Sequence, residues 1–193
     1  FKMIKFTDIT VDGSITLGAS ITAVLIATGW NPWMASLMAF LAGMVAGSIT
    51  GIVHTRFKIQ EILAGILMMT ALYSINLRIM GRSNIPLLDT KTIASSTQWL
   101  LSSVSDGSEK IQLAGWAIPT TDIASLISSL ILCLMLAMLL NYFLKTHFGT
   151  VLRATGNNPQ MVRAQGVNNN RMIVFSLAIS NGLVALSGAL LAQ

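Results

Sequence analysis

The sequence predicts an all-α fold, a polytopic transmembrane helix bundle with five spans in this chain, on three observations. Hydrophobic residues make up 53% of the 193 residues and charged residues only 10%, with a mean hydropathy of +0.71; soluble domains carry about a quarter charged residues. Five segments approach the roughly 20 apolar residues that cross a hydrocarbon core: Ser14–Gly29, Trp33–Val53, Ile62–Met80, Ile123–Leu144 and Met172–Ala192. Lys and Arg gather at span ends, so one membrane orientation satisfies every loop. The net charge of +5 is therefore topological and implies no nucleic acid partner. Residues 1–193 form a single transmembrane domain. The chain opens at Phe1 and stops at Gln193 directly after an apolar run, so it is expected to be the inner part of a longer protein. No signal peptide is visible at its start.

The first span is short and follows a polar stretch, Thr7-Asp8-Ile9-Thr10-Val11-Asp12-Gly13-Ser14. Two readings stand. Either a broken helix begins inside the membrane, as at transport sites, or an ordinary linker is capped by Asp12 or Ser14. Trp30-Asn31-Pro32-Trp33 reads as a tight outer turn with tryptophans at headgroup level. Along the second span Ala39, Gly43, Gly47 and Gly51 recur every four residues, a stripe that admits another backbone closely. Ala178, Gly182, Ala185 and Ala189 do similar work on the last span. The link His54–Glu61, with Arg56 and Lys58, falls on the cytoplasmic side.

Segment 81–122 is expected to be extracytoplasmic. A helix starting at Asp89 or Thr90 would place Ile93, Thr97, Leu100, Leu101 and Val104 on one face and end near Asp106-Gly107. Segment 145–171 carries Lys145, Arg153, Arg163 and Arg171 with no carboxylate, which makes it a cytoplasmic loop. Its interior reads as a short helix over 157–166. Asn157 or Asn158 caps it, Pro159 takes the first position, and Gly166 supplies the left-handed stop. An ordered helix there is a docking element.

Catalytic chemistry is absent. There is no phosphate-binding loop, no His-Glu-x-x-His and no metal-ligand cluster, so no metal site and no enzyme are expected. Cys133, the only cysteine, lies mid-span and reads as a small packing residue. His54 and His147 sit at span ends. The five spans are nearly free of ionisable groups, which counts against a proton-coupled carrier. Asn76 and Asn181 are the costliest polar residues within them and must face the bundle interior, bonding between helices or lining a path. Asp12, Ser14, Asn76 and Asn181 are the candidate solute-path residues.

Three stretches carry a family resemblance: Asp8–Ala19 with its Thr-Val-Asp-Gly-Ser, Leu63–Gly81, and Gly149–Val167 with its Gly, Arg, Asn-Pro, Arg and Gly in register. They resemble the permease subunits of bacterial ATP-binding-cassette importers, in the family of branched-chain amino acid and ribose permeases. The first stretch resembles a branch linked to tryptophan or tyrosine uptake. The resemblance implies the bacterial inner membrane, a separate cytoplasmic ATPase that holds ATP and Mg, and an extracytoplasmic solute-binding protein. It also implies a second permease subunit, expected to be a copy of this chain, and surrounding membrane lipid; the chain itself binds no cofactor. The ATPase-coupling residues would be Gly149, Arg153, Gly156, Asn157, Asn158, Pro159, Met161, Val162, Arg163 and Gly166. Met161 and Val162 would fill an apolar groove on the ATPase, and Arg153 and Arg163 would pair with acidic groups. The rival class is an ion-gradient-driven secondary transporter, marked by a titratable group deep in a span. A membrane scaffold with a lipid-binding basic loop is a third reading.

Overall fold

The computed structural model describes residues 6–82, 110–113 and 116–193. The helix expected between Asp89 and Asp106 lies outside these residues. Five long helices correspond to the predicted spans: α1 (Thr10–Ala27), α2 (Pro32–Phe57), α3 (Glu61–Met80), α4 (Thr120–Lys145) and α7 (Asn169–Leu191). Two short helices, α5 (His147–Asn157) and α6 (Pro159–Ala164), lie between α4 and α7. Strands β1 (Lys110–Leu113) and β2 (Trp116–Pro119) pair antiparallel, with Ile111 opposite Ile118 and Leu113 opposite Trp116. That hairpin was not expected. Apolar and polar residues alternate in β1 but not in β2, and each strand has four residues, a signal too brief to separate from loop.

Local chemistry sets the ends of the helices. Asn31 caps α2 by accepting from the Trp33 N–H at 3.1 Å, and Pro32 takes the first position. Gly29, at φ +86°, makes the turn before it. Both tryptophans are half exposed there, as interfacial rings should be. Lys58 ends α2 in the left-handed region, while the His54 ring bonds the Ile59 carbonyl at 2.8 Å.

Helix α7 is the centre of the bundle. It packs most extensively on α2, then on α1, and α3 packs on the far side of α1. The glycine stripe explains the closeness. A Cβ on Gly43 would lie 2.5 Å from the Asn181 carbonyl oxygen, and one on Gly51 would lie 2.7 Å from the Val174 Cα. Gly47 faces the Leu177 carbonyl, and Ala39 is fully buried. On α1, Gly18 approaches the Ala185 backbone and Ile15 meets Gly188. The tight turn before Pro32 makes α2 antiparallel to α1, and the Gly43, Gly47 and Gly51 contacts make it antiparallel to α7, so α1 and α7 run parallel.

Helix α4 stands apart. Leu130, Leu134, Met138 and Tyr142 are all more than half exposed, and among the described residues α4 has its main contacts with β2 and α5. Cys133 is exposed too, so among the described residues the packing role expected of it is not filled. A Phe143–Phe175–Phe148 cluster, with ring centroids 6.4 and 6.2 Å apart, joins the ends of α4 and α5 to α7.

Candidate functional site

Two assemblies of polar groups and one exposed helix are the features with functional content. The helix lies at the end of the bundle that also holds the His54–Glu61 link, hereafter the basic end. Helices α4 and α5 meet at Thr146 with a bend of 77°. Thr146 turns the chain by donating its hydroxyl to the Phe143 carbonyl at 2.6 Å. Gly149 fits because a Cβ there would sit 2.5 Å from the Leu144 backbone. Beyond α5, Asn158 leaves helical geometry at φ −145° and ψ 89° and caps α6 by accepting from the Met161 N–H at 3.1 Å. Pro159 occupies the first position of α6, and Gly166, at φ +86°, closes the segment. Of the two predicted caps Asn158 is the one used; Asn157 ends α5 instead.

Arg153, Asn157, Asn158, Pro159, Met161 and Arg163 are exposed, and Gly156 is half-buried. Among the described residues neither arginine makes an ion pair. Val162 departs from expectation. It is only 3% exposed, so its side chain packs within this chain and is not free to fill a groove on a partner. Met161, at 59% exposure, remains the apolar tip. The Asn169 side-chain amide donates to the Pro159 carbonyl at 2.7 Å, which fastens the start of α6 to the start of α7.

The first polar assembly is closed and lies where α1, α2 and α7 meet. The Ser14 hydroxyl donates to Asn181 Oδ1 at 2.6 Å. Asn181 Nδ2 donates to Asp8 Oδ2 at 2.6 Å and to the Leu177 carbonyl at 3.1 Å. The other oxygen of Asp8 accepts the Thr10 N–H at 2.9 Å. Thr50 gives its proton to the Ala46 carbonyl at 3.1 Å, so the Thr10 hydroxyl donates to Thr50 Oγ1 at 3.2 Å. Thr10, Ser14, Thr50 and Asn181 are all fully buried.

This assembly explains why α1 starts at Thr10 and not at Ser14. Asp8 takes the orphan N–H of the first turn, a carboxylate at a helix N-terminus. It also sets the depth of that start. Asn181 is the thirteenth residue of α7, about 18 Å along the helix at 1.5 Å per residue. Ser14 lies level with it, so α1 begins well inside the bundle. Ile9 faces Gly65 of α3, and the Thr7 N–H donates to the Glu61 carboxylate at the start of α3 at 3.2 Å. Helix α1 runs unbroken from Thr10 to Ala27, and Asp8, neither of the expected caps Asp12 and Ser14, takes its first-turn N–H. The expectation that the spans lack ionisable groups is corrected accordingly: Asp12 lies within α1 and Asp8 just before it. Counting apolar residues from Ser14 hid both.

The second assembly is an open seam between α1 and α3. Asn76 Nδ2 donates to Thr16 Oγ1 at 2.8 Å and to the Gly13 carbonyl at 3.4 Å. Thr16 donates to the Gly13 carbonyl at 2.9 Å. Asp12 and Thr16 are exposed, whereas Asn76 is buried with its Oδ1 unpartnered. The four candidate path residues therefore divide: Ser14 and Asn181 belong to the closed assembly, Asp12 and Asn76 to the open seam. Asp8, Thr10 and Thr50 were missed as members of the closed group. The Asp8-Ile-Thr10 spacing, an acid two residues before a helix start, is the sequence signal that could have found the first two.

Comparison with known proteins agrees with this architecture. The sequence profile described as "Branched-chain amino acid transport system / permease component" matches residues 1–193. A tyrosine transport system permease protein of Clostridioides difficile is 41% identical over the whole chain, which covers 57% of that protein. An uncharacterised protein of Rickettsia prowazekii is 35% identical over the whole chain and 60% of its own length. An autoinducer 2 import system permease protein of Yersinia pestis is 30% identical over 94% of the chain and 46% of its own length. The chain thus spans roughly half the length of the curated relatives it matches. No solved structure matches it. Several apolar helices of spanning length together with this full-length profile match make it a multi-pass inner-membrane protein of a transport family, not of an enzyme family. The chain belongs to the family of branched-chain amino acid transport system permease components.

Proposed function

We propose that this chain is part of the permease subunit of an ATP-binding-cassette importer for an amino acid, coupled to a separate ATPase at its basic end. The carrying observation is α6: a helix capped by Asn158, stopped by Gly166, tied to α7 through Asn169, and exposing Met161 and Arg163. The excess of Lys and Arg around it puts this end in the cytoplasm, where an ATPase holding ATP and Mg would dock. Push on α6 and α7 moves with it; α7 in turn packs on α1 and α2. The tyrosine permease relative supports an amino acid as solute. A solute-binding protein would approach the opposite end, near 81–122, and a second permease would complete the path. An interface of that kind suits the uncovered length of α4.

Asp8 and Asp12 give the rival carrier reading the titratable groups it requires, so it is tested beside the first. The full-length protein is purified in mild detergent from its native membrane, next to a variant with residues 153–166 scrambled. Co-purification of a phosphate-loop ATPase with the wild type, and its loss with the scramble, is the expected result. No ATPase with an intact wild type, together with uptake abolished by a protonophore, would overturn the importer reading in favour of the carrier. Arg163→Glu is expected to uncouple ATP hydrolysis from uptake without unfolding the protein. Normal solute-stimulated hydrolysis in that variant would remove Arg163 from the docking surface.

A further inference from the structure

We propose that Asp12, Thr16 and Asn76 form a subsite for the ammonium group of the transported solute, part-way through the membrane. The inference rests on the importer reading above and adds to it the chemistry of one solute group.

Depth comes first. Ser14 is level with Asn181 by their 2.6 Å bond, and Asp12 is two residues earlier in α1, about 3 Å nearer the basic end. Asp12 therefore lies about 15 Å along α7 from Asn169, near the middle of a core about 30 Å thick. It is exposed, and among the described residues its carboxylate has no hydrogen bond or ion pair. Facing lipid at that depth would cost at least about 2.5–3.5 kcal/mol. The side chain is thus directed to an aqueous path and not to hydrocarbon.

The donor and acceptor inventory then identifies the ligand. Thr16 shares the Asp12 side of α1, one turn on, where i and i+4 side chains are neighbours. Its proton goes to the Gly13 carbonyl, and it accepts from Asn76. Both protons of the Asn76 amide are engaged, to Thr16 and Gly13. What remains within reach are acceptors, the Asp12 carboxylate and a lone pair on Thr16, while the unpartnered Asn76 Oδ1 is enclosed in a residue only 6% exposed. A seam with spare acceptors, one of them charged, and no spare donor suits an ammonium, which carries three N–H donors and no acceptor. An anion is excluded from the nearby α1 N-terminus, because Asp8 already accepts the Thr10 N–H there.

The test uses the full-length permease with its ATPase and solute-binding protein in proteoliposomes. The probe is ATP-driven uptake of an equimolar ¹⁴C-labelled mixture of the protein amino acids. Asp12→Asn is expected to lower uptake about tenfold or more, the worth of a hydrogen bond to a charged group, while the ATPase still co-purifies. Asp12→Glu is expected to recover part of the loss, and Thr16→Val to lose less than Asp12→Asn. Uptake by Asp12→Asn within twofold of wild type overturns the subsite and leaves the importer reading intact. Loss of the ATPase or of monodispersity in Asp12→Asn would make Asp12 an assembly contact and overturns it as well. So does wild-type uptake that needs Na⁺ and loses that need in Asp12→Asn, which would identify a metal cation as the ligand. If the wild type shows no ATP-driven uptake at all, the importer reading itself falls, and the subsite falls with it.

Discussion

The two polar assemblies of α1 lie within one helical turn of each other and behave oppositely. Around Asn181, each side-chain donor and acceptor named above has a partner, the residues are buried, and three helices converge. Around Asn76, one carboxylate and one amide oxygen have none, and two of the three residues are exposed. The helical period alone separates them. Thr10, Ser14 and Gly18 point to α7 and α2, while Asp12 and Thr16 point elsewhere. A satisfied network inside a membrane fixes helices in one arrangement, because leaving any member unpaired is costly. An unsatisfied one is available to something that moves. The same short polar stretch of sequence thus supplies a fastening on one side of α1 and a candidate path on the other.

Substitutions can break or sharpen that contrast. The largest effect is expected from Gly18→Val, whose Cβ would occupy the place of the Ala185 backbone. Separating α1 from α7 should cost about 3 kcal/mol or prevent recovery of monodisperse protein, as read by thermal unfolding in detergent. Asn181→Leu removes partners from Asp8 and Ser14 together and should cost about 2 kcal/mol; an unchanged melting curve would show that the closed assembly fastens nothing. Thr50→Val preserves shape and removes the acceptor of the Thr10 hydroxyl together with the bond to the Ala46 carbonyl, for about 1 kcal/mol. Asp12→Ala should stay within about 0.5 kcal/mol of wild type, because no partner is lost. Should Asp12→Ala destabilise as much as Asn181→Leu, the distinction between the two sides of α1 would collapse.

Much of the fold is legible in the sequence because a few residues carry it redundantly. The Trp-Asn-Pro-Trp turn announces a cap, a first-turn proline and two interfacial rings together, and the Asn158-Pro159…Gly166 segment is as explicit. Residues that act through distant partners are harder to read. Gly43, Gly47 and Gly51 reveal a close approach without saying that α7 makes it. Val162 carries no mark of the side to which it turns, since six residues of helix give too short a period. Asp8 and Asp12 look like a polar linker because hydropathy counts side chains, whereas the position of the α1 start depends on Asn181, 173 residues beyond Asp8.

That separation has a consequence for how the protein is made. The groove that Gly43, Gly47 and Gly51 open on α2 is finished long before its occupant exists. At about 5–20 residues per second, the ribosome needs roughly ten to thirty seconds to go from Ser14 to Asn181. Through that interval α1 and α2 sit in the membrane with the hydroxyl of Ser14 and the carboxylate of Asp8 awaiting the helix that completes them. Only the arrival of α7 closes the bundle, so the last described span acts as the checkpoint of assembly, and a nascent chain halted before Asn169 should be held by insertion factors or degraded.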